Sequence, residues 1–135
     1  MRNVFLSARF RDIVELVDIL IQLIRETSIF LPDDVISELK RARNEETQSR
    51  AKRIYDVMFK NLELAAEHGV PICQDTGILE FFIRAGEDFP NIGMIEREIR
   101  KATAEATKRI QLRPNAVEDD RNTGNNTGEK IPWID

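Results

Sequence analysis

The sequence predicts an α+β fold, predominantly helical: a helix bundle with a short strand segment and an extended C-terminal tail. Three observations carry this expectation. Apolar residues recur at three- and four-residue spacings in several separate segments. A short β-branched and aromatic run at 78–84 lies between Gly77 and Gly86. Beyond Leu112 the chain becomes acidic and rich in Asn, Thr and Gly. The 135 residues suffice for one compact domain. The expected division is a helix-rich part at 1–112 and a motif-bearing tail at 113–135.

The first helix is expected from Arg9 to Phe30, where Ile13, Leu16, Val17, Leu20, Leu23 and Ile24 fall at helical spacing. Val14 and Ile21 widen its apolar arc and leave a narrow polar stripe of Glu15, Asp18, Gln22 and Arg25. Such a helix belongs in a core, or partly beneath another domain or subunit. Leu31-Pro32-Asp33-Asp34 opens a second helix, with acids where the helix dipole favours negative charge. Val35, Ile36 and Leu39 are expected to face inward. A third helix runs from a Thr47 cap to about Glu67. Its expected inner stripe is Ala51, Ile54, Tyr55, Met58, Leu62, Ala65 and Ala66, beside Phe59. Gly69 suits the left-handed residue that ends a helix. The run at 78–84 reads as a buried strand. A fourth helix spans Ile92 to Ile110, with Ile95, Ile99, Ala102 and Ala106 on one side. The terminal Ile131-Pro132-Trp133-Ile134-Asp135 has no evident element to join, which points to a fragment or to a tail docked on something absent.

Composition narrows the classes of function. Twenty basic residues against 24 acidic give a net charge of −4 without a basic block, which argues against nucleic-acid binding. The longest apolar stretch carries charges and is too short for a bilayer, so no membrane is expected. A single cysteine makes no internal disulfide, and no signal-peptide pattern is present, so the default compartment is cytoplasmic.

That cysteine lies in Gly69-Val70-Pro71-Ile72-Cys73-Gln74-Asp75-Thr76-Gly77. A thiol, a carboxamide and a carboxylate follow one another between Pro and Gly, as in loops that present chemistry. Taken from the residues alone, Cys73 remains open between a small hydrophobe, a nucleophile and a metal ligand. The only histidine, His68, closes a helix and has an adequate structural explanation there.

The same nine residues, with Phe82-Ile83-Arg84-Ala85-Gly86, Leu112-Arg113-Pro114-Asn115-Ala116-Val117 and the following Asn-Thr-Gly-Asn-Asn-Thr-Gly, resemble the N-terminal part of iron–sulfur hydro-lyases. These are the class I fumarases and the tartrate dehydratase α-subunits. The resemblance implies a [4Fe–4S] cluster held by three cysteines, with one iron open as a Lewis acid. It places Cys73 as a cluster ligand, Gln74 and Asp75 in the substrate pocket, and Arg113 on a substrate carboxylate. Asp75 is implied in substrate hydrogen bonding or proton transfer.

The family pattern is incomplete here, because two cluster cysteines and the β-type region are missing. The implied partners are a β-type subunit or domain and a small dicarboxylate substrate, in an oligomer. With one thiolate, the isolated polypeptide is expected to be inactive. The alternative is a non-catalytic helical interaction or assembly domain.

Overall fold

The computed structural model describes residues 13–73, 75, 77–86, 92–114 and 124–135. Its elements are α1 (Ile13–Ile29), α2 (Asp33–Glu45), α3 (Ser49–His68), β1 (Glu80–Phe81), α4 (Ile92–Arg109) and β2 (Trp133–Ile134). The mainly helical α+β class is therefore the one the periodicity predicts. The chain forms two compact units: Glu26–Ile72 is one, and 13–25 together with the described residues from Cys73 onward is the other.

In the first unit, α2 and α3 form a helical hairpin. Pro32 stands at the N-cap of α2, just ahead of Asp33 and Asp34 in the first turn. The α2–α3 connection is organised by Glu46, whose Oε1 accepts the backbone N–H groups of Thr47 at 2.8 Å and Gln48 at 2.9 Å. Those two bonds hold the Glu46 carboxyl below the usual carboxylate range. Gln48, not Thr47, is the N-cap residue of α3, and its side chain makes no capping bond. Arg43 Nε donates to Asp56 Oδ1 at 2.6 Å across the hairpin.

The expected inward row of this unit needs correction at several positions. Val35, Ile54, Met58 and Ala66 are exposed, and α2 contains no buried residue. The sheltered row of α3 is Ala51, Tyr55, Phe59, Leu62 and Ala65, of which only Ala65 is fully buried. The expected stripe from Ile54 to Ala66 spans about 120° of the helix circumference, and a hairpin of two helices covers it only in part.

The second unit holds the larger core. Val17, Leu20, Ile21 and Ile24 of α1 share one buried cluster with Ile99, Ala102 and Ala106 of α4 and with Ile110 and Leu112. Leu16, Leu79, Phe81, Ile95 and Ile134 pack against it. This is the core role that the apolar circumference of the first helix predicts. Asp18 and Gln22 stay exposed, as the polar stripe requires.

β1 and β2 pair in parallel, with Glu80 opposite Trp133 and Phe81 opposite Ile134. The N–H groups of Trp133 and Asp135 donate to Leu79 and Phe81 carbonyls, and Ile83 N–H donates to the Asp135 carbonyl. The strand expected at 78–84 is thus shorter and only half covered: Phe81 is sheltered, whereas Ile78 and Phe82 are 58% and 64% exposed. The terminal Trp-Ile pair does have an element to join, and that element is this sheet.

The segment before β2 is fastened to α4. Arg100 directs its guanidinium at the Gly128, Glu129 and Ile131 carbonyls, while Glu96 accepts from it on the other side. Asn126 is buried, with φ 59°, a left-handed conformation that asparagine tolerates better than most residues. Its Nδ2 donates to Thr107 Oγ1 at 3.1 Å and to the Arg113 carbonyl at 3.2 Å.

Candidate functional site

Helix α3 ends where Gly69 turns left-handed at φ 65° and Val70 N–H reaches back to the Ala65 carbonyl, a Schellman closure. The chain entering the cysteine turn is held twice. Ile72 N–H donates to the Ser28 carbonyl at 3.0 Å, and Asn61 Nδ2 donates to the Ile72 carbonyl at 2.6 Å. The exit is held by the bond from Trp133 N–H to the Leu79 carbonyl. Between these anchors the turn carries Cys73 and Asp75.

Cys73 is a free, exposed thiol, which removes the reading of it as a buried hydrophobe. Its Sγ lies 3.1 Å from the Asp75 carbonyl, a weak S–H donor contact that draws the turn closed. The Asp75 side chain is also exposed, and its Oδ1 accepts Gly77 N–H at 3.3 Å. A carboxylate that caps the backbone two residues ahead fixes its own orientation. Gly77 has φ 63° with open space around the position of a side chain, so backbone conformation is what demands glycine there. Gln74 lies outside the described residues.

Arg113 follows the end of α4, exposed and without an ion-pair partner among the described residues. Its backbone is fixed by Asn126 through the Arg113 carbonyl. Cys73 and Asp75 are thus brought together, whereas no hydrogen bond or ion pair among the described residues joins Arg113 to their turn. His68 closes α3, where a basic residue suits the negative end of the helix dipole.

Among the described residues no three His, Cys, Asp or Glu side chains gather as a metal site. The donor set is one exposed thiol, which fits one corner of an iron–sulfur cluster and not a whole one.

Three positioning residues escaped the sequence reading. Asn61 secures the entry to the cysteine turn, Arg100 secures β2, and Asn126 secures the backbone of Arg113. Only Asn126 carried a signal, since it stands in a doubled Asn-Thr-Gly segment where left-handed asparagine is common. Glu98 was also missed. It is buried on α4, with Oε1 2.9 Å from Arg97 Nε and no hydrogen-bond partner for Oε2 among the described residues.

Comparison with known proteins decides the family. The model of the family described as Fumarate hydratase (Fumerase) matches residues 17–135. The chain belongs to the fumarate hydratase family. Within it, the L(+)-tartrate dehydratase subunit alpha of Escherichia coli (strain K12) is 44% identical over 106 residues, covering 77% of this chain and 35% of that protein. The same subunit of Escherichia coli O157:H7 aligns with equal identity and coverage. A putative L(+)-tartrate dehydratase subunit alpha of Methanocaldococcus jannaschii is 34% identical over 121 residues, covering 87% of this chain and 42% of that protein. The chain therefore spans between a third and a half of the length of these fumarate hydratase family relatives. The matched region contains the Cys73 turn, α4, Arg113 and β2. No helix among the described residues is long and apolar enough to cross a membrane.

Proposed function

We propose that this chain is part of a cytoplasmic hydro-lyase that reversibly dehydrates a 2-hydroxydicarboxylic acid, either malate to fumarate or tartrate to oxaloacetate. Family membership and the names of the tartrate dehydratase relatives support the reaction class. The observation that carries the reading to these residues is the exposed Cys73 thiol, held in one turn with the Asp75 carboxylate.

In this reading Cys73 gives one thiolate to a [4Fe–4S] cluster whose other ligands lie outside the chain. Once bound, such a cluster supplies a Lewis-acidic iron for the substrate hydroxyl. The chain's own residues bind and orient the substrate. Arg113, as a planar guanidinium with two parallel donors, grips a substrate carboxylate. Gln74 and Asp75 line the pocket, and the Asp75 carboxylate accepts a substrate hydrogen bond or holds the transferred proton. Residues 1–112 act as the helix-rich part and 113–135 as the substrate-motif segment. The relatives' designation as a subunit alpha supports a β-type partner. Alone, with one thiolate, the chain is inactive.

The test is anaerobic assembly with the remaining α-type polypeptide and a β-type partner, then cluster absorption and turnover of malate and tartrate. Cys73→Ala is expected to lose both readouts. Arg113→Met is expected to keep the cluster and raise KM. An intact cluster with undiminished turnover in Cys73→Ala would overturn the assignment.

A further inference from the structure

Thr107 on α4 holds the chain around Arg113 in two ways. Its carbonyl accepts Leu112 N–H at 3.1 Å, one residue before Arg113. Its hydroxyl lies 2.8 Å from the Thr103 carbonyl and 3.0 Å from the Asn125 carbonyl, and the single proton serves one of them at a time. The same oxygen accepts Asn126 Nδ2 at 3.1 Å, and that amide nitrogen also donates to the Arg113 carbonyl at 3.2 Å. One threonine thus holds Leu112 directly and Arg113 through Asn126. All of these residues belong to one compact unit.

The turn that carries Asn126 is itself fixed. Asn125 Oδ1 accepts the Thr127 N–H at 3.1 Å and the Thr127 hydroxyl at 2.7 Å. Gly128 N–H donates to the Ile131 carbonyl at 2.8 Å, and Arg100 holds the Gly128 carbonyl. On the far side of Arg113, Pro114 disfavours helical backbone at the residue before it. The Arg113 side chain, by contrast, is exposed and has no ion-pair partner among the described residues. Where its guanidinium can reach is therefore set by where its backbone stands, and a two-point grip on a carboxylate is sensitive to that placement.

We propose that Asn126 is a positioning residue for substrate binding, acting through the Arg113 backbone, with Thr107 as its support on α4. This role rests on the hydro-lyase reading, in which Arg113 grips a substrate carboxylate. It assigns part of the substrate affinity to a buried amide that touches no substrate.

The test uses the anaerobically assembled enzyme, with the remaining α-type polypeptide and a β-type partner. Asn126→Gly removes the amide while placing at φ 59° a residue that adopts that conformation freely. It is expected to raise KM for malate or tartrate, and the inhibition constant of succinate, by at least about fivefold, the weight of one neutral hydrogen bond. Cluster absorption should be unchanged and kcat should stay within about twofold, because the grip on a carboxylate is alike in the ground and transition states. Thr107→Val should raise both constants as well, whereas Thr107→Ser should keep the wild-type values. Thr103→Val removes a buried hydroxyl on the same helix that has no hydrogen-bond partner among the described residues, and it should change neither constant. In an Arg113→Met background, Asn126→Gly should add no further rise.

An unmoved KM in Asn126→Gly, while Arg113→Met raises it, overturns the positioning role and leaves the hydro-lyase reading standing. Arg113→Met without effect on KM overturns both. Additive rises in the double variant, or an equal rise in Thr103→Val, mark a general loosening of the core and overturn the role as well. Should Asn126→Gly fail to assemble, the two Thr107 variants decide. If Thr107→Val fails too, both residues are structural only and the proposal falls.

Discussion

Replacing Asn126 by alanine removes a side chain that ties three segments together. The residue is 2% exposed, and its amide donates to Thr107 Oγ1 on α4 and to the Arg113 carbonyl beyond the end of that helix. Each buried neutral bond contributes about 1 kcal/mol net, and the Arg113 carbonyl left without this donor raises the loss on that side. Alanine at φ 59° also bears left-handed strain that asparagine tolerates better, about 1 kcal/mol more. The expected destabilisation is therefore about 3 kcal/mol. Trp133, the only tryptophan, lies on β2 in the same unit as Asn126, so its fluorescence follows this unit during urea unfolding. Far-ultraviolet circular dichroism also records α2 and α3. With a urea slope on the order of 2 kcal/mol per molar, the Trp133 midpoint should fall by more than about 1 M. The signal from α2 and α3 should move less. A Trp133 midpoint displaced by the equivalent of less than about 0.5 kcal/mol would refute the idea that Asn126 is a structural tie.

Two further outcomes follow from local geometry. Helix α4 closes with the Leu112 N–H to Thr107 carbonyl bond and with Gln111 at φ 58°, the closure that α3 makes with Gly69. Gln111→Gly should therefore stabilise the chain by about 0.5–1 kcal/mol, and Gly69→Ala should cost about 1 kcal/mol, both read as urea midpoints. The carboxyls of Glu38, Glu46 and Asp56 are held below their ordinary range, chiefly by hydrogen bonds from Arg41, from the Gln48 and Thr47 N–H groups, and from Arg43. A depressed carboxyl contributes stability that is present above its unfolded pKa and lost as pH falls through the folded one. Melting temperature should thus drop on acidification from about pH 6 to about pH 3, and Glu46→Gln should flatten the drop. An identical pH profile in that variant would count against the Glu46 bonds.

The helices were legible because their information is local. The 3.6-residue period located all four, and the core positions of α1 and α4 were read correctly at Leu20, Ile24, Ile99, Ala102 and Ala106. The exposed face of α3 was misread because a period shows which residues share a side but not whether anything covers it. Ile54 and Met58 belong to an apolar stripe that the chain covers only in part. The register of β1 with β2 was illegible because it depends on residues more than fifty positions apart. The grip of Arg100 on three carbonyls was illegible for a similar reason: nothing near an arginine in sequence announces which distant backbone it will meet. At the candidate site, the Gly- and Pro-framed turn around Cys73 was readable, whereas the anchors that hold it, Ser28, Asn61 and Trp133, come from elsewhere in the chain.

The parallel pairing of β1 with β2 has a consequence for how the molecule assembles. Helical hairpins close within moments of leaving the ribosome, since their contacts lie close together along the chain. β1 must wait for α4 and for everything up to Trp133 before it meets its neighbour, and the downstream end of the thiol-bearing loop is pinned only then. Cys73 is therefore tethered from upstream, through Ile72, before it is tethered from downstream.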